Sequence, residues 1–293
     1  MYYVVYGFLY ILSLLPLQVL HFFGDLAFGI LYYIIRYRRK IVNANLSIAF
    51  PDKTAKERKK IARKFYRNFT DNLFEIIKLI SAPQPFIRKH FTGDFSVFEE
   101  IHKKYGKRSQ FLLGHQFNWE LACVGIPLHI PQLFLVAYMP PSSRISDRLM
   151  QKIRLRTGAA LVSVYDISRS MIHYRNTEYV LALVADQNPR RSGPRYWIRF
   201  FGKPAPFEKA PESSATKSDM PVIFGSFKKI KRGYYTSQYF LAAEKPSALA
   251  PGELTIRYVR YLEETIRDQP ENWLWSHRRW KWDLPAESAD IIG

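Results

Sequence analysis

The sequence predicts an α/β fold, a mostly parallel central sheet flanked by helices, with an N-terminal apolar membrane-anchoring helix segment ahead of it. Three observations carry that expectation. Short apolar runs at 110–114, 133–137, 160–164, 180–185, 222–227 and 234–240 have strand length, and several are apolar on both faces, as strands covered on both sides of a sheet must be. Helix-like segments separate most of these runs, which favours parallel pairing. The first 20 residues carry no charged side chain, and apolar character resumes at 26–35.

As helix at about 1.5 Å per residue, that first stretch reaches roughly 30 Å, one hydrocarbon thickness. Pro16 and the polar break at His21, Gly24 and Asp25 leave open a kinked or re-entrant helix pair in one leaflet. No Lys or Arg precedes the apolar run and no clear small-residue cleavage site follows it, so an uncleaved anchor is expected over a signal peptide. Arg36, Arg38, Arg39 and Lys40 come next, and then Lys53, Lys56, Arg58, Lys59, Lys60, Arg63, Lys64 and Arg67. Cations beside an apolar segment stay on the cytoplasmic side and meet anionic headgroups. The body should therefore face the cytoplasm.

Ile61, Phe65, Phe69, Leu73, Ile76, Ile77 and Ile80 recur near 3.6 residues and predict a helix over 56–80, ended by the Ser, Ala, Pro, Gln, Pro run at 81–85. Further helices are expected at 119–127, 143–156, 167–175, 209–218 and 253–267. The resulting division is an anchor with its basic flank over 1–40 and one catalytic domain over 41–293.

Composition narrows the function. Across 293 residues, 44 Lys and Arg against 25 Asp and Glu give a formal charge of +19, which calls for an anionic partner: nucleic acid, lipid headgroups or an acidic carrier protein. Nucleic acid is disfavoured, because no Cys/His finger spacing, aromatic RNA-recognition signature or heptad is present. The one cysteine, Cys123, excludes an internal disulfide and a multi-thiolate metal site, and reads as a small core residue. With no G-x-S-x-G elbow, P-loop or dinucleotide fingerprint, neither a serine hydrolase nor a nucleotide cofactor is expected.

At 111–120 an apolar strand runs through a polar turn into a helix, and the carboxyl end of such a strand is where reacting groups collect in open α/β sheets. His115 sits there. An imidazole can take a proton from a hydroxyl near neutral pH if an acceptor holds its other nitrogen, and Glu120 is a candidate for that acceptor. From spacing alone, a capping or core histidine and a first-turn acid suited to the helix dipole are the better fit.

His115, Gln116, Phe117, Asn118, Trp119 and Glu120 match the H-x4-[DE] motif of the glycerolipid and lysophospholipid acyltransferase superfamily. More specifically, the chain resembles the late acyltransferases of lipid A biosynthesis. The resemblance runs in order through Arg39 to Asn43, Asn45, Leu46, Phe50 and Pro51, then Asp186 and Gln187, then Phe200, Phe201 and Gly202, and last Trp275, His277, Arg278, Arg279 and Lys281. Two departures stand out: the Phe-Pro-Glu-Gly-Thr block of glycerophospholipid enzymes is absent, and Ala210 with Pro211 replaces a common Gly-Pro pair.

The resemblance implies a glycerolipid acyltransferase-like fold and transfer of a fatty acyl chain from an acyl thioester, carried by acyl carrier protein or coenzyme A, to a hydroxyl of a lipid A precursor. His115 would be the general base and Glu120 its orienting acid. Arg154 or Arg156 would meet the oxyanion or the donor, while Asn118, Asp186 and Gln187 support the site. Arg190, Arg191, Arg195, Arg278, Arg279 and Lys281 would bind lipid phosphates or the carrier. No cofactor or metal is implied beyond the acyl donor, and the expected location is the cytoplasmic face of a bacterial inner membrane. O-acylation of another lyso-lipid and a non-catalytic, membrane-anchored lipid-binding protein are the competing expectations.

Overall fold

The computed structural model describes residues 1–106, 108–284 and 291–293. Nine strands are described: β1 (Phe91–Gly93), β2 (Arg108–Leu113), β3 (Leu133–Tyr138), β4 (Ala160–Ser163), β5 (Tyr179–Val184), β6 (Arg195–Phe200), β7 (Lys203–Glu208), β8 (Val222–Lys231) and β9 (Tyr234–Ala243). Seven of them form one sheet in the order β1-β9-β8-β2-β5-β3-β4. From β8 to β4 every pairing is parallel; β9 runs antiparallel to β8, with β1 parallel to β9. The α/β expectation holds, and all six strands read from the sequence are present.

The helices are α1 (Tyr2–Leu14), α2 (Leu17–Gly29), α3 (Arg39–Ala49), α4 (Ala55–Leu79), α5 (Gln84–His90), α6 (Ser96–Tyr105), α7 (Trp119–Gly125), α8 (Arg144–Arg154), α9 (Ile167–Ser170), α10 (Ala210–Ser218) and α11 (Glu253–Asp268). Helix α4 opens with a capping box in which Thr54 and Glu57 satisfy each other's backbone donors. The segment expected as one helix at 167–175 divides into α9 and a 3-10 turn, Met171–Tyr174.

At the amino terminus only Pro16 interrupts the helix: α2 runs on through a wider π turn, Ile30–Ile34. Lys78 Nζ and Ser81 Oγ donate to the carbonyls of Ser13 and Leu15 that this break leaves free. Gly24 and Asp25, expected to break the helix, instead attach it to the body. A Cβ on Gly24 would lie 3.2 Å from Asp71 Oδ1, so glycine permits close approach to α4. Asp25 pairs with Arg67 at 2.8 Å and Arg232 at 2.9 Å. Leu20 is fully buried, and Phe28 and Tyr32 join the main core.

The opposite face is bare. Among the described residues, fifteen of the twenty-two exposed large apolar side chains lie in the first 35 positions. The run Leu17–Ile34 is long and apolar enough, by length and composition, to cross a membrane.

Candidate active site

Parallel pairing decides where the chemistry sits. In the β2–β5 register Leu113 lies opposite Val184, so continuing two residues along each strand brings His115 beside Asp186. His115 Nδ1 and Asp186 Oδ1 are 2.5 Å apart, and His115 N–H donates to Asp186 Oδ2 at 2.7 Å. The indole N–H of Trp273 also donates to Oδ2, at 2.6 Å. Burial alone would raise the Asp186 pKa, but the charge of His115 and the three hydrogen bonds outweigh it and hold the carboxyl below its usual range. A carboxylate only accepts, so Nδ1 keeps its proton in either state of the ring, and in the neutral imidazole Nε2 is the proton acceptor. Gln187 Nε2 lies 3.3 Å from that nitrogen.

The strand-to-helix turn is held from beneath. Asn272 Nδ2 donates to the carbonyls of Phe117 and Phe227, and Leu274 N–H donates to the carbonyl of His115. Asn118 Oδ1 caps α7 by accepting from Leu121 N–H, while its Nδ2 donates to buried Glu75. Glu75 also accepts from Tyr235 and contacts His21 Nε2 at 3.1 Å. Burial raises its pKa, but the bond to His21, the charge of Lys229 and the bonds from Tyr235 and Asn118 bring it below the usual range. A buried carboxylate thus links the apolar helix α2 to the start of α7.

Glu120 corrects the expectation. It does not meet His115 Nδ1, because α7 begins at Trp119 and turns the Glu120 side chain toward the end of α8. There Arg154 grips it with two bonds, Nε to Oε2 at 2.8 Å and Nη2 to Oε1 at 2.5 Å, and Trp119 Nε1 adds a third at 2.9 Å. Burial lowers the pKa of the guanidinium, yet the bonds and charge of Glu120 overcome this and raise it, so Arg154 is cationic. Arg156 is elsewhere: its Nη1 donates to the carbonyl of Leu79. Between the two arginines, geometry selects Arg154.

His115, Glu120, Arg154 and Gln187 line one cavity of about 630 Å³ whose walls include Cys123, Ile126, Phe134, Val136 and Ala182. The Cys123 thiol is buried and pushed up to about 12 by that burial and by Glu120, so it is no nucleophile. Arg190 reaches the rim of this cavity, and Arg191 is exposed beyond it. Arg195 is engaged outside it, donating to the carbonyls of Gly193 and Arg191 just before its strand and lying over the ring of Trp282.

Arg279 is a second correction. It is fully buried, its Nη1 donating to Asn188 Oδ1 at 2.9 Å and its Nη2 to the carbonyl of Pro206 at 2.8 Å, over the ring of Phe207. A buried guanidinium cannot meet a lipid phosphate or a carrier; it fixes the segment after Asp186. Its neighbours Arg278 and Lys281 remain exposed and line a separate cavity. Sequence reading missed the donor role of Trp273, although a buried indole N–H usually finds an acceptor.

An imidazole whose acceptor nitrogen meets only the Gln187 amide among the described residues, a fixed guanidinium and an apolar cavity at the carboxyl edge of a parallel sheet define a site that can deprotonate an alcohol beside a bound aliphatic chain. Comparison with known proteins names the class. The family model described as bacterial lipid A biosynthesis acyltransferase matches residues 1–282, and the chain belongs to that family. The lipid A biosynthesis palmitoleoyltransferase of Escherichia coli (strain K12) is 23% identical over 297 aligned residues, covering 98% of this chain and 92% of that protein. The lipid A biosynthesis acyltransferase of Shigella flexneri matches to the same extent. The protein is an acyltransferase, and its family acts in lipid A synthesis.

Proposed function

We propose that the protein transfers a fatty acyl chain from an acyl thioester, carried by acyl carrier protein, to a hydroxyl of a lipid A precursor at the cytoplasmic face of the inner membrane. The observation that carries the mechanism is the His115–Asp186 pair opening on an apolar cavity. His115 Nε2 takes the proton of the acceptor hydroxyl as that oxygen attacks the thioester carbonyl. Asp186 stabilises the resulting imidazolium, the tetrahedral intermediate collapses with cleavage of the C–S bond, the departing thiolate takes the proton back from His115 Nε2 and leaves as the thiol, and no acyl-enzyme forms. Arg154, aimed by Glu120, keeps Nη1 for the developing oxyanion. Gln187 marks the place the acceptor hydroxyl takes. No metal or organic cofactor has a part in this scheme.

The test is direct. Purified protein given an acyl carrier protein thioester and a lipid A precursor should yield a product heavier by one acyl chain in mass spectrometry. Acylation of a lysophospholipid with none of the glycolipid would refute the acceptor assignment.

The apolar wall supplies a second expectation. Val136 is half-buried on β3 and lines the cavity, so Val136→Phe shortens the space for the chain and should shift preference toward shorter acyl donors. Unchanged chain preference would place the acyl group elsewhere.

Membrane association is attributed to the bare face of α1 and α2. Val4, Phe8 and Ile11 are 76%, 62% and 67% exposed, and their spacing puts them on one helix face. Replacing all three with aspartate should move the protein from the membrane pellet to the supernatant with its melting temperature unchanged. Continued pelleting would transfer the attachment from α1 to the bare face of α2, where Phe22, Leu26 and Ile30 stay exposed, or to the basic surface.

A further inference from the structure

The apolar amino-terminal helices end at a turn in which Arg36 and Arg38 both take the left-handed conformation, φ 54° and 48°. Helix α3 starts from this turn, and the carboxyl-terminal segment is tied across it. Arg38 Nη1 donates to the carbonyl of Ser276 at 3.1 Å, and Asn45 Nδ2 donates to the carbonyls of Trp275 and His277 at 2.8 and 2.7 Å. Between the two segments lies an open cavity of about 930 Å³, lined by Arg36, Arg38, Arg39, Lys40, Arg278 and Lys281 together with His277.

None of those six cations forms an ion pair among the described residues, whereas Arg67, Arg154, Lys229 and Arg232 all do. The placement also runs against helix electrostatics. The amino-terminal turn of α3 carries no acid and no side-chain cap, so four cations gather at the positive end of a helix dipole. Such a site is complemented by a multiply charged anion. Arginine forks in a recess match phosphate oxygens, while the acidic face of a carrier protein needs a surface it can lie against.

Two further facts say where that phosphate comes from. Ile34 and Ile35, immediately before Arg36, are 75% and 59% exposed, so the cavity opens where the apolar face stops, at headgroup depth. It also adjoins the reaction cavity. His277 Nε2 accepts from Asn188 N–H at 3.3 Å, and the preceding residue, Gln187, contacts His115.

We propose that this cavity binds the phosphate groups of a phosphorylated glycolipid acceptor, whose acyl chains lie in the bilayer beside Ile34 and Ile35 while its hydroxyl reaches His115 past Gln187. The inference rests on the acyl-transfer reading above and adds to it the headgroup chemistry that is recognised.

Arg36, Lys40 and Arg278 are exposed, so the triple variant Arg36→Gln, Lys40→Gln, Arg278→Gln should fold with an unchanged melting temperature. Flotation with phosphatidylcholine vesicles doped with lipid A disaccharide is compared with vesicles carrying the same lipid after removal of its phosphates. Wild type should bind the phosphorylated vesicles more tightly, and the triple variant should lose that preference, on the order of a hundredfold in affinity. In the transfer assay the variant's KM for the phosphorylated acceptor rises and its KM for the acyl thioester does not. A rise in the thioester KM alone would assign the cavity to the carrier and overturn the proposal. Equal binding by wild type and variant would overturn it too, as would displacement of wild type from the vesicles by equimolar inorganic phosphate. Flotation needs no acyl transfer, so a failure of the enzymatic reading is seen separately from a failure of this one.

Discussion

Replacing His115 with alanine should lower kcat/KM for acyl transfer by about 10²–10⁴-fold, the range a positioned general base supplies. Asp186→Asn should fall within the same range although it keeps the size and shape of the side chain. An asparagine can present its amide N–H to Nδ1, which lets the ring move its proton to Nε2, and a protonated Nε2 cannot accept the substrate's proton. Membrane association should survive both changes, because neither residue touches the exposed apolar face. Acidification acts on the same pair. The carboxyl of Asp186 is held below its ordinary value, so its contribution to stability is complete above about pH 3.9 and is lost only as pH falls through the lowered native value. A wild-type rate in either variant, measured on folded protein, would remove the pair from the mechanism.

Arg154→Ala should reduce kcat by about 10²–10³-fold, as the loss of one oxyanion donor does, while Arg156→Ala should stay near the wild-type rate. The change also leaves Glu120 buried with, among the described residues, only Trp119 as a donor, which costs about 3–5 kcal/mol when a buried pair is broken from one side. That is a large part of the roughly 5–15 kcal/mol that holds a domain folded. Arg154→Lys separates the two effects: it keeps the charge against Glu120 but loses the fork, so the protein should fold and still turn over slowly. Glu120→Gln should resemble Arg154→Lys in rate, because its part is to aim the guanidinium. Full activity in Arg154→Lys and Glu120→Gln together would leave the ion pair a purely structural role.

The strands were legible because the central ones are buried on both sides and read as unbroken apolar runs. The β6–β7 hairpin was not read: the arginines of Arg195–Phe200 drew attention as cations, although Arg195, Trp197 and Arg199 alternate with Tyr196, Ile198 and Phe200 in the period of a strand. Its turn, Phe201 at φ 51° and Gly202 at φ 75°, matches the paired left-handed residues of a tight hairpin. Helix α3 was hidden by the basic run that starts it.

The candidate site was half legible. His115 and Glu120 were found by motif and both line the reaction cavity, but their partners lie far along the chain. Asp186 becomes the neighbour of His115 only once β2 and β5 are paired in register, and Arg154 meets Glu120 only once α8 packs against α7. Five-residue spacing suggested a contact that the strand-to-helix turn does not make. Arg279 looked like its neighbours Arg278 and Lys281, and only packing shows that it points inward.

One spectrum distinguishes the two acids. In protein labelled with ¹⁵N-histidine, the strong bond to a carboxylate should place the His115 Nδ1 proton far downfield, and the account predicts that this resonance persists in Glu120→Gln and disappears in Asp186→Asn. Loss of the signal in Glu120→Gln with its retention in Asp186→Asn would contradict it and restore Glu120 as the partner of the base.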